Sequence, residues 1–175
     1  MGNPGEPDGL DRLWTPHRLA YIKGGAPADG CPFDRAPHLP ADESLVVARG
    51  TVAYAVLNLY PYSPGHVLIC PYRHVADYTD LTREETAGIA RLTQLAMRAI
   101  RQASAPDGFN LGINQGAVAG AGIAAHLHQH VVPRWSGDAN FLPVVGQTKA
   151  LPQLLDQTWE ILRSSWDSYA ASGTS

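Results

Sequence analysis

Three of the seven histidines stand at alternate positions in His126-Leu127-His128-Gln129-His130. In an extended strand successive side chains point to opposite faces, so this spacing predicts three imidazoles on one face, neighbours about 6–7 Å apart. Leu127, Gln129 and Val131 then face the other way. A neutral imidazole can attack an electrophile, donate a proton or bind a metal. Histidine has little intrinsic reason to occupy three alternate positions of an otherwise aliphatic strand, which points to function. An H-x-H pattern also suits zinc, and three histidines can complete a catalytic zinc site. Non-haem iron usually needs a carboxylate beside two histidines, and no Asp or Glu lies between Gly108 and Gly137. The residues alone therefore leave open a metal-dependent β-protein, and also a nucleotide sensor without turnover.

The segment Gly116-Ala117-Val118-Ala119-Gly120-Ala121-Gly122 precedes the histidines. Small side chains allow close backbone approach to a ligand, and free amides can form an anion-binding nest. It is not a Walker loop, lacking Gly-Lys-Ser/Thr, and it leads into a strand, unlike the dinucleotide fingerprint. Alone it reads as a hairpin connection; beside three histidines it reads as a phosphate loop.

These groups need elements to hold them. Val46-Val47, Val52–Tyr60, Val67–Cys70, Phe109–Gln115 and His126–Arg134 are β-branched, aromatic or aliphatic runs, which predict strands. Pro61-Tyr62-Ser63-Pro64-Gly65 is a turn between two of them. Thr82 with Glu85 predicts a capping box, and Ile89, Leu92, Ala96, Ala99 and Ile100 a helix reaching Ser104. Leu151, Leu154, Leu155, Trp159, Leu162 and Trp166 form the stripe of a closing helix. Leu10–Ile22 predicts a short helical piece, and Lys23–Pro40 an irregular connection. The class is α+β: an antiparallel sheet of about five strands, a central helix and a C-terminal helix. Residues 1–9 read as a flexible tail and 10–175 as one domain.

Hydrophobic residues make up 45% and charged residues 17% of 175, an ordinary globular balance. The formal charge is −3, without the basic stripe of a nucleic-acid binder. No apolar run approaches the roughly 18 residues that span a bilayer. Met1–Gly9 lacks signal-peptide character, and Glu6 removes a myristoylation pattern. Cys31 and Cys70 give no disulfide framework. The expectation is a cytoplasmic protein without membrane or nucleic-acid partners.

His126-Leu127-His128-Gln129-His130-Val131-Val132 resembles the H-φ-H-φ-H-φ-φ signature of the histidine-triad (HIT) family, Gln129 being the one non-apolar member. Asn58-Leu59-Tyr60-Pro61-Tyr62-Ser63-Pro64-Gly65-His66 resembles that family's second motif, which ends in Pro-Gly-His. The similarity covers about residues 45–140. Leu13-Trp14-Thr15-Pro16 and Val132-Pro133-Arg134-Trp135 through Asn140 are similar to the family's actinobacterial diadenosine tetraphosphate phosphorylases. The Val-Pro-Arg…Gly-Asp stretch is also similar to its Fhit-like dinucleoside polyphosphate hydrolases.

The resemblance implies a HIT-like fold and a covalent nucleotidyl-histidine intermediate. His128 would be the nucleophile, His130 a phosphate contact, and His126 an orienting residue acting through His66. Asn58 would meet the ribose; Asn114 and the Ala121-Gly122 backbone would meet phosphate. Inorganic phosphate as acceptor would yield ADP and ATP from diadenosine tetraphosphate; water, in a polyphosphate or phosphoramidate hydrolase, would release AMP. The resemblance also implies a homodimer. No tightly bound cofactor is expected, although a divalent cation such as Mg can accompany the polyphosphate. One departure stands out: Ala121-Gly122-Ile123-Ala124 carries no hydroxyl where many members have Ser or Thr.

Cys31-Pro32-Phe33-Asp34 resembles a degraded form of the C-x-x-C with which some bacterial relatives bind zinc, His74 standing where a downstream ligand could be. Asp34 replaces the second cysteine, so zinc held by Cys31, Asp34, His74 and another histidine is one reading; because structural zinc prefers thiolates, the expectation is no metal, with a loop cysteine and a surface histidine. His17 and His38 read as surface residues, Trp159 and Trp166 as packing. Leu57, Tyr60 and Tyr62 suit a base pocket or ordinary sheet packing equally.

Overall fold

A computed structural model describes residues 30–40, 43–138 and 154–171. Five strands form one antiparallel sheet: β1 (Val46–Arg49), β2 (Ala53–Leu57), β3 (Val67–Pro71), β4 (Gly108–Ile113) and β5 (Gln129–Arg134). Their order is β1-β2-β3-β5-β4. Alternation divides the side chains between two faces. Ala53, Ala55, Leu57, Val67, Ile69, Leu127 and Val131 enter the main core with two helices, α2 (Arg83–Ser104) and α3 (Leu155–Ala171). Tyr54, Val56, Leu68 and Cys70 build a smaller cluster with Val46 on the opposite face. A short helix, α1 (Pro32–Arg35), brings Phe33 onto that second cluster.

Helix α2 starts where the capping box predicts. Thr82 Oγ1 accepts from Glu85 N–H at 3.1 Å, and Glu85 Oε2 accepts from Thr82 N–H at 2.9 Å. Arg73 adds two hydrogen bonds to the same carboxylate, at 2.9 and 2.7 Å. Ile89, Leu92, Ala96, Ala99 and Ile100 are buried along one stripe. Trp166 lies in the core, and Trp159 donates its indole N–H to Val46 O at 3.0 Å, tying α3 to the sheet.

Several strand boundaries differ from expectation, three of them near the histidines. The second strand stops at Leu57 because Asn58 already belongs to the turn, its N–H donating to His66 O at 2.9 Å. The fourth runs Gly108–Ile113 rather than to Gln115. The fifth begins at Gln129, not His126. Ile69 pairs with Gln129, so continuing that register would oppose Leu127 to Pro71, which has no N–H to extend the ladder. Lys23–Pro40, expected to be irregular, holds α1 and a 3₁₀ turn at Ala36–His38. The expected helical piece at Leu10–Ile22 and the start of the closing helix at Leu151 lie outside the described residues.

Candidate active site

Although His126 and His128 precede β5, alternation survives. Leu127 N–H donates to Val75 O at 2.7 Å, which holds the lead-in extended. Leu127 enters the main core. Gln129 also turns toward α2 and donates to Thr93 Oγ1 at 2.8 Å. That bond explains the one polar residue among the apolar positions, since Thr93 satisfies the amide it would otherwise bury. His126, His128 and His130 face the other way. The ring centroids of His128 and His130 lie 5.2 Å apart, and Phe33 sits 4.9 Å from His128.

Hydrogen bonds assign the protons. His128 Nδ1 lies 2.9 Å from His126 O. A carbonyl only accepts, so Nδ1 carries the proton and Nε2 keeps its lone pair. Burial pushes the His128 pKa below the ordinary imidazole range, favouring this neutral form. On the other side Tyr62 N–H donates to His66 Nδ1 at 3.1 Å. His66 Nε2 therefore donates to His130 Nδ1 at 3.0 Å. His130 accepts at Nδ1 and so carries its proton on Nε2. The site thus pairs an unprotonated nitrogen on His128 with an N–H on His130, an acceptor lone pair beside a hydrogen-bond donor.

The Pro-Gly-His turn holds His66 fully buried. His66 N–H bonds Ser63 O at 3.1 Å, and Ser63 Oγ donates to Pro133 O on β5 at 2.7 Å. Gly65 adopts φ +76°, which its neighbours in the turn could not share without strain. Tyr62 stacks on His66 with centroids 4.9 Å apart. Of the other residues considered for a base pocket, Leu57 lies in the core and Tyr60 is exposed.

The remaining predicted contacts stand less directly. Asn114 follows Ile113, the partner of Gln129, so it leaves the sheet at the level of His128. In the glycine loop, Ala119 and Ala121 N–H bond Gly116 O, and Gly120 N–H bonds Ala117 O. The Ala121 amide is turned into its own loop at 3.3 Å, while Gly122 is exposed. Asn58 meets His66, its Nδ2 lying 3.3 Å from His66 Nδ1.

A group that sequence chemistry set aside converges here. Cys31, Asp34, His74 and His126 offer ligand atoms all within 4.8 Å of one another. One turn of α1 puts Cys31 and Asp34 on the same side, and the chain crosses the triad face. His126 Nε2 lies 2.9 Å from Pro71 O and must donate to it. Burial pushes the His126 pKa down, so Nδ1 presents a lone pair. That lone pair faces Asp34 Oδ1 at 3.1 Å and Cys31 Sγ at 3.5 Å, while Asp34 Oδ2 meets His74 at 2.8 Å. Four donor atoms gathered this closely can hold a cation, and the S, O, N, N donor set fits a zinc-class ion. The missing second thiolate made this group look inert in sequence; the fold brings the Asp34 carboxylate and a triad histidine, His126, to the same place.

A model of the HIT domain matches residues 41–137. The AP-4-A phosphorylase of Mycobacterium tuberculosis is 48% identical over 172 residues, covering 93% of this chain and 87% of that protein. The chain belongs to the histidine-triad family. The Arabidopsis thaliana bifunctional bis(5′-adenosyl)-triphosphatase/adenylylsulfatase is 37% identical over 87 residues, 50% of this chain and 48% of that one. Among solved structures, a zinc-bound histidine-triad family protein from Mycobacterium smegmatis superposes with a TM-score of 0.61 at 27% identity. That alignment covers 87% of this chain and 94% of that one.

Proposed function

We propose that this HIT protein is a nucleotidyltransferase that cleaves diadenosine tetraphosphate by phosphorolysis through a nucleotidyl-His128 intermediate. One observation carries the reading: His128 Nδ1–H is held by a carbonyl, so Nε2 faces the site as a neutral lone pair. That nitrogen attacks the α-phosphorus; the P–N bond forms as the P–O bond to the departing ATP breaks. The His130 Nε2–H stabilises charge on the phosphoryl oxygens. Inorganic phosphate then attacks, the P–N bond breaks, and ADP leaves with the imidazole neutral again. The M. tuberculosis phosphorylase, matching nearly the whole chain, supports phosphate over water as acceptor.

Asn114 and Gly122 are the phosphate contacts in this reading. Cys31, Asp34, His74 and His126 would hold a zinc-class ion, whose bound charge braces the lead-in to β5 and takes no part in bond making. The protein works in the cytoplasm as a homodimer joined through β4. That strand is a sheet edge, and its Leu111 is 49% exposed.

The test is to incubate the protein with diadenosine tetraphosphate, with and without inorganic phosphate, and identify the nucleotides. ADP and ATP in equal amounts, dependent on phosphate, are expected. AMP plus ATP at any phosphate concentration would make it a hydrolase.

A further inference from the structure

Asn58, which the family resemblance assigns to the ribose, is tied to His66 in this fold. Its Oδ1 accepts from Tyr60 N–H at 3.0 Å, which assigns the oxygen and so fixes which end of the amide is the NH₂. That NH₂ lies 3.3 Å from His66 Nδ1. Tyr62 N–H reaches the same nitrogen at 3.1 Å. Two groups that can only donate therefore converge on one ring nitrogen, which must carry no proton. His66 is left as its Nε2–H tautomer and donates to His130 Nδ1 at 3.0 Å. His130 in turn is left with Nε2–H. Four groups in series, each permitting one polarity, end in a donor beside the nucleophile.

We propose that Asn58 is a positioning residue: with the Tyr62 amide it locks His66, and through it His130, as Nε2–H tautomers. The opposite tautomer of His130 would turn a lone pair toward a phosphate oxygen, replacing attraction by repulsion at the place where charge develops. The turn is built for this role. Pro61 and Pro64 bracket a segment whose backbone N–H points inward at a buried ring, and the Tyr62 ring covers that ring from the solvent side. The kinetic consequence rests on the nucleotidyl-transfer reading; the tautomers themselves do not.

Two measurements test the inference. The first is ring ¹⁵N–¹H correlation of the histidine-labelled protein without substrate, where His66 and His130 should both show a bare Nδ1 and a protonated Nε2. In Asn58→Asp, an acceptor replaces the donor and the His66 Nδ1 signal should move toward the protonated position. A wild-type His66 or His130 protonated at Nδ1 overturns the proposal, even if Asn58→Asp does not fold. The second compares Asn58→Ala with wild type on diadenosine tetraphosphate and on its analogue lacking the 2′ and 3′ ribose hydroxyls. A positioning role predicts a kcat loss of about tenfold, the size expected when an orienting partner is removed. That loss should be the same on both substrates, with KM little changed. A penalty that falls in KM and vanishes on the deoxygenated analogue assigns Asn58 to the ribose and sinks the idea. If neither substrate turns over, the transfer reading fails, and the spectra alone decide the tautomers.

Discussion

In the proposed reaction His128 Nε2 can act as the nucleophile only while the His126 carbonyl keeps the proton on Nδ1. The two neighbouring histidines divide the remaining work by polarity: His130 supplies an N–H, and His126 spends its ring on Pro71 O and on the Asp34–Cys31 group. Replacing His128 by Ala should abolish turnover by about four orders of magnitude or more, because a missing nucleophile cannot be partly compensated. Circular dichroism and nucleotide product analysis, run together, check this; retained turnover in a folded His128→Ala protein would remove the covalent mechanism. Thr93 is a different kind of residue, buried and acting on the far face. Its hydroxyl accepts from Gln129 and donates to Ile89 O at 2.8 Å. Thr93→Val should cost about 1–3 kcal/mol by stranding the Gln129 amide, read as a lower urea midpoint with unchanged slope.

At the scale of elements, α2 depends on one carboxylate at its first turn. Glu85 closes the capping box and receives Arg73, whose guanidinium holds the Glu85 pKa down at about 2. The folded value lies below the ordinary one, so this contribution is fully present above the usual carboxylate range. It is lost as pH falls from about 4.5, the ordinary carboxylate value, toward about 2, the folded one. Denaturation of wild type and Glu85→Gln should therefore differ near neutrality and converge at the acid end of that window. Thr82→Ala removes the other half of the box and should cost about 1 kcal/mol. The Pro-Gly-His turn is the second element with a single critical backbone position. Gly65→Ala forces a side chain to φ +76° and brings its Cβ to 3.6 Å from Pro133. A loss of about 1 kcal/mol is expected, together with reduced turnover, because His66 follows directly.

For the whole molecule, the segment before β1 decides more than its length suggests. It carries α1 across the sheet face opposite α2, sets Phe33 against His128, and delivers Cys31 and Asp34 to His126 and His74. If this is a metal site, the purified protein should contain zinc by elemental analysis, and Asp34→Ala should lower both the zinc content and the melting temperature. Zinc at background level in both proteins would leave α1 held by packing alone. The other whole-molecule prediction concerns β4. A charged substitution at Leu111 should shift light-scattering mass from two chains to one if the sheet edge pairs with a second copy.

Much of this was legible in the residues. Alternation gave the shared face of the three histidines, since a period of two needs only an extended backbone, which β-branched neighbours favour. The capping box and the spacing of Ile89, Leu92 and Ala96 gave the start and buried stripe of α2, because both are local patterns. The glycine loop was legible as a loop, but not the direction of its amides, which bond its own carbonyls. Nor could local pattern tell that β5 starts at Gln129, because that depends on Pro71 from another strand lying opposite. The tautomers of His66 and His130, the position of Phe33, and the meeting of Cys31 and Asp34 with His74 and His126 belong to tertiary structure alone. Each requires groups from 4 to 95 residues apart, and a proton's place on a ring is set by whichever donor or acceptor the fold brings to it.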